Sequence, residues 1–346
     1  MNNYIKYFNN YLKKYIYPYE AAPVTKLNQI KNDDLLLLLN SKSKKKEIFY
    51  IIRRSPGAGL FSNLIYVLNH IKLAEDLGYK PIVDMENFPT IYNEEQKVNK
   101  SKNAWNYYFH NKHKFNLKKI LKENKFVLTS NRFSKSFSHT VDTNQFRLLF
   151  KKYFKLNIEH HKFAENFRKR FFTNKKVLAI HLRGTSYKTS ANHPFPTTKK
   201  QTINIIRDLM HIYKFDKIFL CTEDLEYFNL IIKHFKDKVI FLNNTYKSFK
   251  DDAFEVYPRK LHRFKLGRDI LLEALLISKC HSFVFTNSNV SEFIKFLDDK
   301  KKINYFLIQN GYNNSNAYIA KWLWFYKNVF PPSLGGFKDT AYVKKS

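Results

Sequence analysis

The chain has 346 residues, enough for one large or two ordinary domains, and its 44% apolar and 17% aromatic content excludes a disordered chain. Its formal net charge is +32, from 61 Lys and Arg against 29 Asp and Glu, which favours anionic partners: nucleic acid, an anionic lipid surface or phosphate-bearing ligands. The basic residues are spread along the chain, however, and no zinc-finger spacing, RNA-recognition aromatic signature or basic heptad region is present, so specific nucleic-acid binding is not expected.

Residues 1–46 read as an extension, with Tyr4, Tyr7, Phe8, Tyr11, Leu12 and Tyr15 at helical spacing among lysines. Two readings of that segment stay open: packing on the protein's own surface, or lying on an anionic membrane. Met1–Pro18 lacks the apolar core and cleavage site of a signal peptide, and no run reaches the ~20 apolar residues of a membrane span. Cys221 and Cys280 sit in apolar runs, as buried thiols of a reducing compartment do. The expectation is a cytoplasmic protein, at most peripheral to the inner face of a membrane.

A strand–helix alternation starts at residue 47. Strands are expected over Glu47–Arg54, Lys80–Glu86 and Lys125–Asn131, and helices over Leu60–Leu77, Asn103–His113 and residues 142–172. The second half repeats the pattern more clearly. Its expected strands are Lys176–Leu182, Asp216–Thr222, Lys238–Leu242, Ser282–Asn287 and Asn304–Gln309. Its helical patterns cover Lys200–Tyr213, Leu225–Phe235, Gly267–Lys279 and Val290–Leu297. Continuous apolar strands alternating with helices predict an α/β fold of two Rossmann-like domains with parallel sheets and a cleft between them. The expected division is an acceptor-side domain over 47–165, a nucleotide domain over 166–310 and an aromatic tail over 311–346.

In open parallel sheets ligands bind beyond the carboxyl ends of the strands. Three clusters stand there in the second half: His181, Arg183, Gly184 and Thr185; Glu223 and Asp224; and Asn287, Ser288 and Asn289. Arg183 offers a planar fork of donors for phosphate, and Gly184 lets backbone approach a ligand. The stretch Thr286–Phe293 sets small polar side chains and free N–H groups at a helix start, a ready anion site. Glu223, Asp224 and Glu273 suit sugar hydroxyls or the N–H edge of a base. Blander roles remain open: helix capping for Ser288 and Asn289, and helix-dipole compensation for Glu223 and Asp224. In the first half, "SPGAGLFSNL" supplies Gly57 and Gly59 but Ser62 in place of a third glycine, so a dinucleotide fingerprint is incomplete.

Three motifs, "HLRGTSYK" (His181–Lys188), "LCTEDLEYF" (Leu220–Phe228) and "GRDILLEALLISKCHSFVFTNSNVSEF" (Gly267–Phe293), resemble those of the metal-independent GT-B glycosyltransferases related to α-1,6- and protein O-fucosyltransferases, above all bacterial forms of capsule or lipopolysaccharide synthesis. "GAGLFSNL" (Gly57–Leu64) resembles the first-strand loop of that group. The resemblance implies a GDP-sugar donor and inversion at the anomeric carbon. It implies that Arg183 contacts the diphosphate, His181 lies against the nucleotide, Glu223 and Asp224 lie near the ribose, Glu273 recognises guanine and Ser288 meets the diphosphate.

The chain departs from the α-1,6 pattern twice. Ser186–Tyr187 stands where those enzymes have Asp–Lys, and Thr189–Pro196 lacks the glutamate that serves as their base. His193, Asp84 and Glu95 are the candidate bases. No metal or cofactor is expected, since no Asp-x-Asp occurs and Arg183 with the helix start would carry the charge of leaving GDP. Arg268, in the basic stretch Tyr257–Asp269, is a further phosphate candidate. The expected partners are the GDP-sugar and a glycan or lipid-linked glycan acceptor, with the tail aromatics Trp322, Trp324, Phe325 and Tyr326 either returning to the first domain or meeting a membrane. Two rival readings are a transferase of another activated group and a non-catalytic basic protein binding RNA or polyanionic glycan.

Overall fold

The apolar run Ile48–Ile52 forms β1, buried along almost its whole length, as a central parallel strand must be. The computed structural model describes residues 43–54, 59–129 and 143–345. The expected N-terminal amphipathic helix, residues 55–58 with Gly57, and the end of the Lys125–Asn131 strand lie outside the described residues.

The contacts divide the chain into two units: residues 1–157 with 259–267, and residues 158–258 with 268–346. In the first unit β1 is followed by α1 (Leu60–Asp76), β2 (Lys80–Val83), β3 (Phe109–Asn111), α2 (Leu117–Glu123), β4 (Lys125–Leu128), α3 (Thr143–Tyr153) and β5 (Phe154–Leu156). β1 lies between β2 and β4 in a parallel sheet, with Ile51 paired to Ile82 on one side and to Leu128 on the other. Asn103–His113 is not the expected helix. It is a 3₁₀ turn at Ala104–Tyr107 followed by β3, which pairs antiparallel with β5. Its bulky rings favour a pleated surface over a helix, and Trp105, Tyr107 and Phe109 are all buried. The helical reading of 142–172 is likewise interrupted at β5.

The second unit holds α4 (Ile158–Phe171), β6 (Val177–Leu182), α5 (Lys199–Ile212), β7 (Lys217–Thr222), α6 (Leu225–Phe235), β8 (Val239–Ile240), the part of α7 (His262–Ile277) from Arg268 onward, β9 (Ser282–Phe285), α8 (Asn289–Leu297), β10 (Asn304–Gln309), α9 (Ala317–Val329) and β11 (Tyr342–Lys345). Helix starts follow their caps. Thr198 and Gln201 form a capping box at α5, Asp224 caps α6 and Asn316 caps α9.

The sheet order is β11-β10-β9-β6-β7-β8, parallel except for β11. β6 through β10 thus follow the doubly wound order, in which chain progression reverses between β6 and β9. That reversal is the topological switch point where a ligand crevice forms. One face of β6 (Leu178, Ile180, Leu182) packs into a core with Ile206, Leu220 and Phe306. Side chains alternate, so His181 points to the opposite face. Residues 311–346 group with this second unit, where β11 extends the sheet beside β10.

Candidate active site

The second unit's site grows from β6, which is fully buried to Leu182 and then releases the chain at Arg183. Leu182 pairs with Thr222 of β7, so Arg183 emerges level with Glu223. Their side chains meet with Nε 3.7 Å from Oε1, each about one third exposed. Arg183 also donates from Nη2 to Ser186 Oγ at 3.4 Å and stacks on Tyr187, 4.6 Å from the ring centre. Ser186 and Tyr187, the residues that depart from the α-1,6 pattern, therefore hold the guanidinium in place. A long, partly exposed ion pair is a weak one, so an incoming phosphate can take over the guanidinium fork at little cost.

Gly184 is required by a close approach. A Cβ there would stand 2.0 Å from Asp224 Oδ2. Asp224 cannot yield, because its Oδ1 accepts the N–H groups of Glu226 and Tyr227 and its Oδ2 accepts Lys188 Nζ at 2.9 Å. Asp224 is thus a buried helix cap with its oxygens occupied, and Glu223 is the acid that reaches the crevice. Gly184→Ala is expected to cost about 1–3 kcal/mol, the usual penalty of overpacking, read as a lowered midpoint in urea unfolding. Thr185 Oγ1 lies 3.5 Å from Glu223 Oε1. Burial raises the Glu223 carboxyl above the ordinary carboxylate range, and Arg183 opposes that rise.

His181 is buried, and its Nδ1 has no hydrogen-bond partner among the described residues. Burial first, then the Arg183 charge, lowers its pKa to about 3. The ring is neutral at any working pH.

β9 lies beside β6, with Ile180 paired to Val284. Neighbouring strands run about 5 Å apart, so the chain leaves both at the same rim. Ser288 caps α8 and shares a capping box with Ser291, whose N–H it accepts at 3.2 Å. The N–H groups of Asn289 and Val290 have no partner among the described residues, and they stand at the positive end of the helix dipole. Asn287 and Asn289 are exposed.

Glu273, on α7, is buried. Desolvation first, then Asp269, lifts its pKa to about 8, with Lys247 opposing and Glu223 adding to the rise. Arg268 is held by its neighbour Asp269 at 2.9 Å. His193 is exposed, beside Tyr187 with ring centres 4.8 Å apart. Its Nδ1 lies 2.8 Å from the carbonyl of Ala191. A carbonyl only accepts, so Nδ1 is the donor in this contact, and Nε2 is the ring nitrogen left outside it. Sequence reasoning did not assign Tyr187, Lys188 or Lys247. The first two were legible in the motif itself, since a short turn after Gly184 folds Tyr187 under Arg183 and Lys188 onto Asp224.

The remaining candidates fall in the first unit. Asp84 is fully buried and accepts the N–H groups of Glu86 and Asn87 and the Asn87 amide at 2.8 Å. Burial nevertheless raises its pKa. Glu95 is exposed. Gly59 caps α1, where Leu60 N–H donates to Tyr92 Oη at 2.9 Å, and a Cβ at Gly59 would meet only ordinary contact. Among the described residues no group of three or more His, Cys, Asp or Glu could hold a metal ion.

No protein-family model and no curated protein matches the chain. Its fold is similar to that of solved fucosyltransferases. The NodZ α-1,6-fucosyltransferase co-crystallised with GDP shares 14% identity over 77% of this chain and 96% of its own, with a TM-score of 0.49. The same enzyme is known from Bradyrhizobium. POFUT1 in complex with GDP shares 10% identity over 74% of this chain and 98% of its own, at 0.41. A mutant of Arabidopsis thaliana FUT1 in complex with GDP shares 10% over 76% of this chain and 71% of its own, at 0.43. With TM-scores no higher than 0.49, the functional reading rests on the chain's own residues.

Proposed function

We propose that the chain is a glycosyltransferase that moves a sugar, fucose or a related GDP-linked sugar, to a hydroxyl of a surface polysaccharide or lipid-linked acceptor, with inversion and without a metal. The observation that carries this reading is the switch point between β6 and β9, where Arg183 and the free N–H groups of α8 leave adjacent strands at one rim. Together they are fixed donors for the two charges of a departing diphosphate. Glu273 and Glu223 are the acids for base and ribose. His193, with a free Nε2, is the base we assign for the acceptor hydroxyl. It needs no help from Asp84, whose oxygens already hold three N–H donors. Thermal-shift measurements should show selective stabilisation by GDP over UDP, CDP and ADP, and turnover should persist in a chelator. Stabilisation by NAD, or strict dependence on a divalent metal, would overturn the reading.

The tail supports a membrane-side acceptor. No helix among the described residues is long and apolar enough to cross a membrane. α9 instead leaves Tyr318, Trp322, Phe325 and Val329 60–80% exposed on one face. The exposed Lys321 flanks that face, as a cation does on a helix lying in an anionic interface, whereas Lys327 lies on the other side and donates to the Gly335 carbonyl at 2.9 Å. Vesicles rich in phosphatidylglycerol should carry the protein upward in flotation, and Trp322→Ala with Phe325→Ala should leave it at the bottom.

A further inference from the structure

In the first unit β1 ends in two arginines, and their surroundings differ from those of an ordinary surface pair. Arg53 is 8% exposed, lies 5.0 Å from the centre of the Phe88 ring and donates from Nε to the Thr129 carbonyl at 3.5 Å. Arg54 stacks on Tyr66 at 4.5 Å and donates from Nη2 to Ser62 Oγ at 3.3 Å. Both guanidinium charges act on the buried Tyr66 hydroxyl, whose pKa they pull down against the rise from burial. The groups that bond to or stack on them are neutral: Ser62, Thr129, Phe88, and Tyr66, whose own pKa burial raises. His70 is kept neutral by burial and by Arg54, with a pKa of about 3. Among the described residues neither arginine makes an ion pair with a carboxylate.

A guanidinium does not deprotonate in a protein, and burying one without an anion is costly. Such an arrangement persists where a ligand supplies the missing charge. Its place fits, because β1 is the central strand of a parallel sheet and the pair stands just beyond its carboxyl end.

We propose that Arg53 and Arg54 form a second oxyanion site, for a phosphate monoester or diester carried by a ligand other than the donor nucleotide. Two planar forks with the Ser62 hydroxyl beside one of them supply donors of the kind a phosphate group takes, while the Thr129 hydroxyl is spent on the Arg53 backbone at 3.0 Å. The proposal stands whether or not the nucleotide bound by the second unit is GDP.

The test is a thermal melt of the full chain with inorganic phosphate, compared with chloride at equal ionic strength. Arg183→Ala should keep the phosphate response and lose the GDP response. Arg54→Gln should do the reverse, and without phosphate it should melt no lower than wild type, because a partly buried charge with no carboxylate partner is gone. Arg53→Lys keeps the charge but not the fork, and should weaken the phosphate response about tenfold in concentration, the weight of one lost bidentate contact. A phosphate response unchanged in Arg54→Gln and Arg53→Lys would overturn the proposal. So would loss of the GDP response in Arg54→Gln, which would assign the pair to the donor diphosphate.

Discussion

Replacing Arg183 with alanine is expected to lower kcat by about 10²–10³-fold, the cost of removing one preorganised donor from a developing oxyanion. The expectation rests on how the side chain is held. β6 is buried to its last residue and fixes where the guanidinium starts. Tyr187 below it and Ser186 beside it fix where it points. Its partner Glu223 sits 3.7 Å away, close enough to keep the arginine extended and too far for a tight bidentate pair. The fork is therefore pre-positioned but not consumed. Lysine should not rescue it, because a point charge on a flexible stem cannot replace two parallel donors. The variant should fold normally, since the pair it removes is partly exposed and of little weight for stability. Single-turnover kinetics with GDP-fucose measures the effect. A kcat within threefold of wild type would remove Arg183 from the chemistry.

Much of this crevice was legible in the sequence. A continuous apolar run such as Val177–Leu182 has one comfortable home, the middle of a parallel sheet, and the residues after it must lie at the rim. The strands of the second unit follow for the same reason, with ends within two or three residues of those expected. Elements whose hydrophobic pattern is carried by few residues were not legible. β11 has one apolar residue facing inward, Val343, among lysines, and it exists because β10 offers an open edge. β3 and β5 are three residues each, and a tertiary pairing overrides the helical spacing of their rings. At the site, residue type fixed chemistry but not availability. Asp224 and Glu223 are adjacent acids in the sequence, and only packing against Gly184 and Lys188 separates the cap from the acid that faces the crevice. The protonation of Glu273 was equally invisible, because it comes from burial beside Asp269 and Glu223.

That protonation leads to the second large effect. Binding of GDP should tighten roughly tenfold per pH unit between about pH 6 and pH 8, and then level off. The free carboxyl keeps its proton up to about pH 8. To accept N–H groups from the guanine edge it must ionise, so each binding event below that pH releases a proton. Glu273→Gln should lose this dependence, and at pH 8 its affinity should fall about 10–100-fold, the weight of a charge-assisted hydrogen bond. The sign for folding is opposite. The folded-state pKa lies above the value of an exposed glutamate, so the group's contribution to stability is complete below about pH 4.5 and declines as pH rises towards 8. Glu273→Gln has no such loss, and at pH 8.5 it should unfold at a higher urea concentration than wild type. Calorimetric titration with GDP in buffers of different ionisation enthalpy reads the released proton directly. An affinity independent of pH, with no proton released, would exclude Glu273 from the base-binding pocket. A variant that binds GDP poorly yet resists urea better would show that the buried carboxyl is kept for the ligand at the expense of the fold.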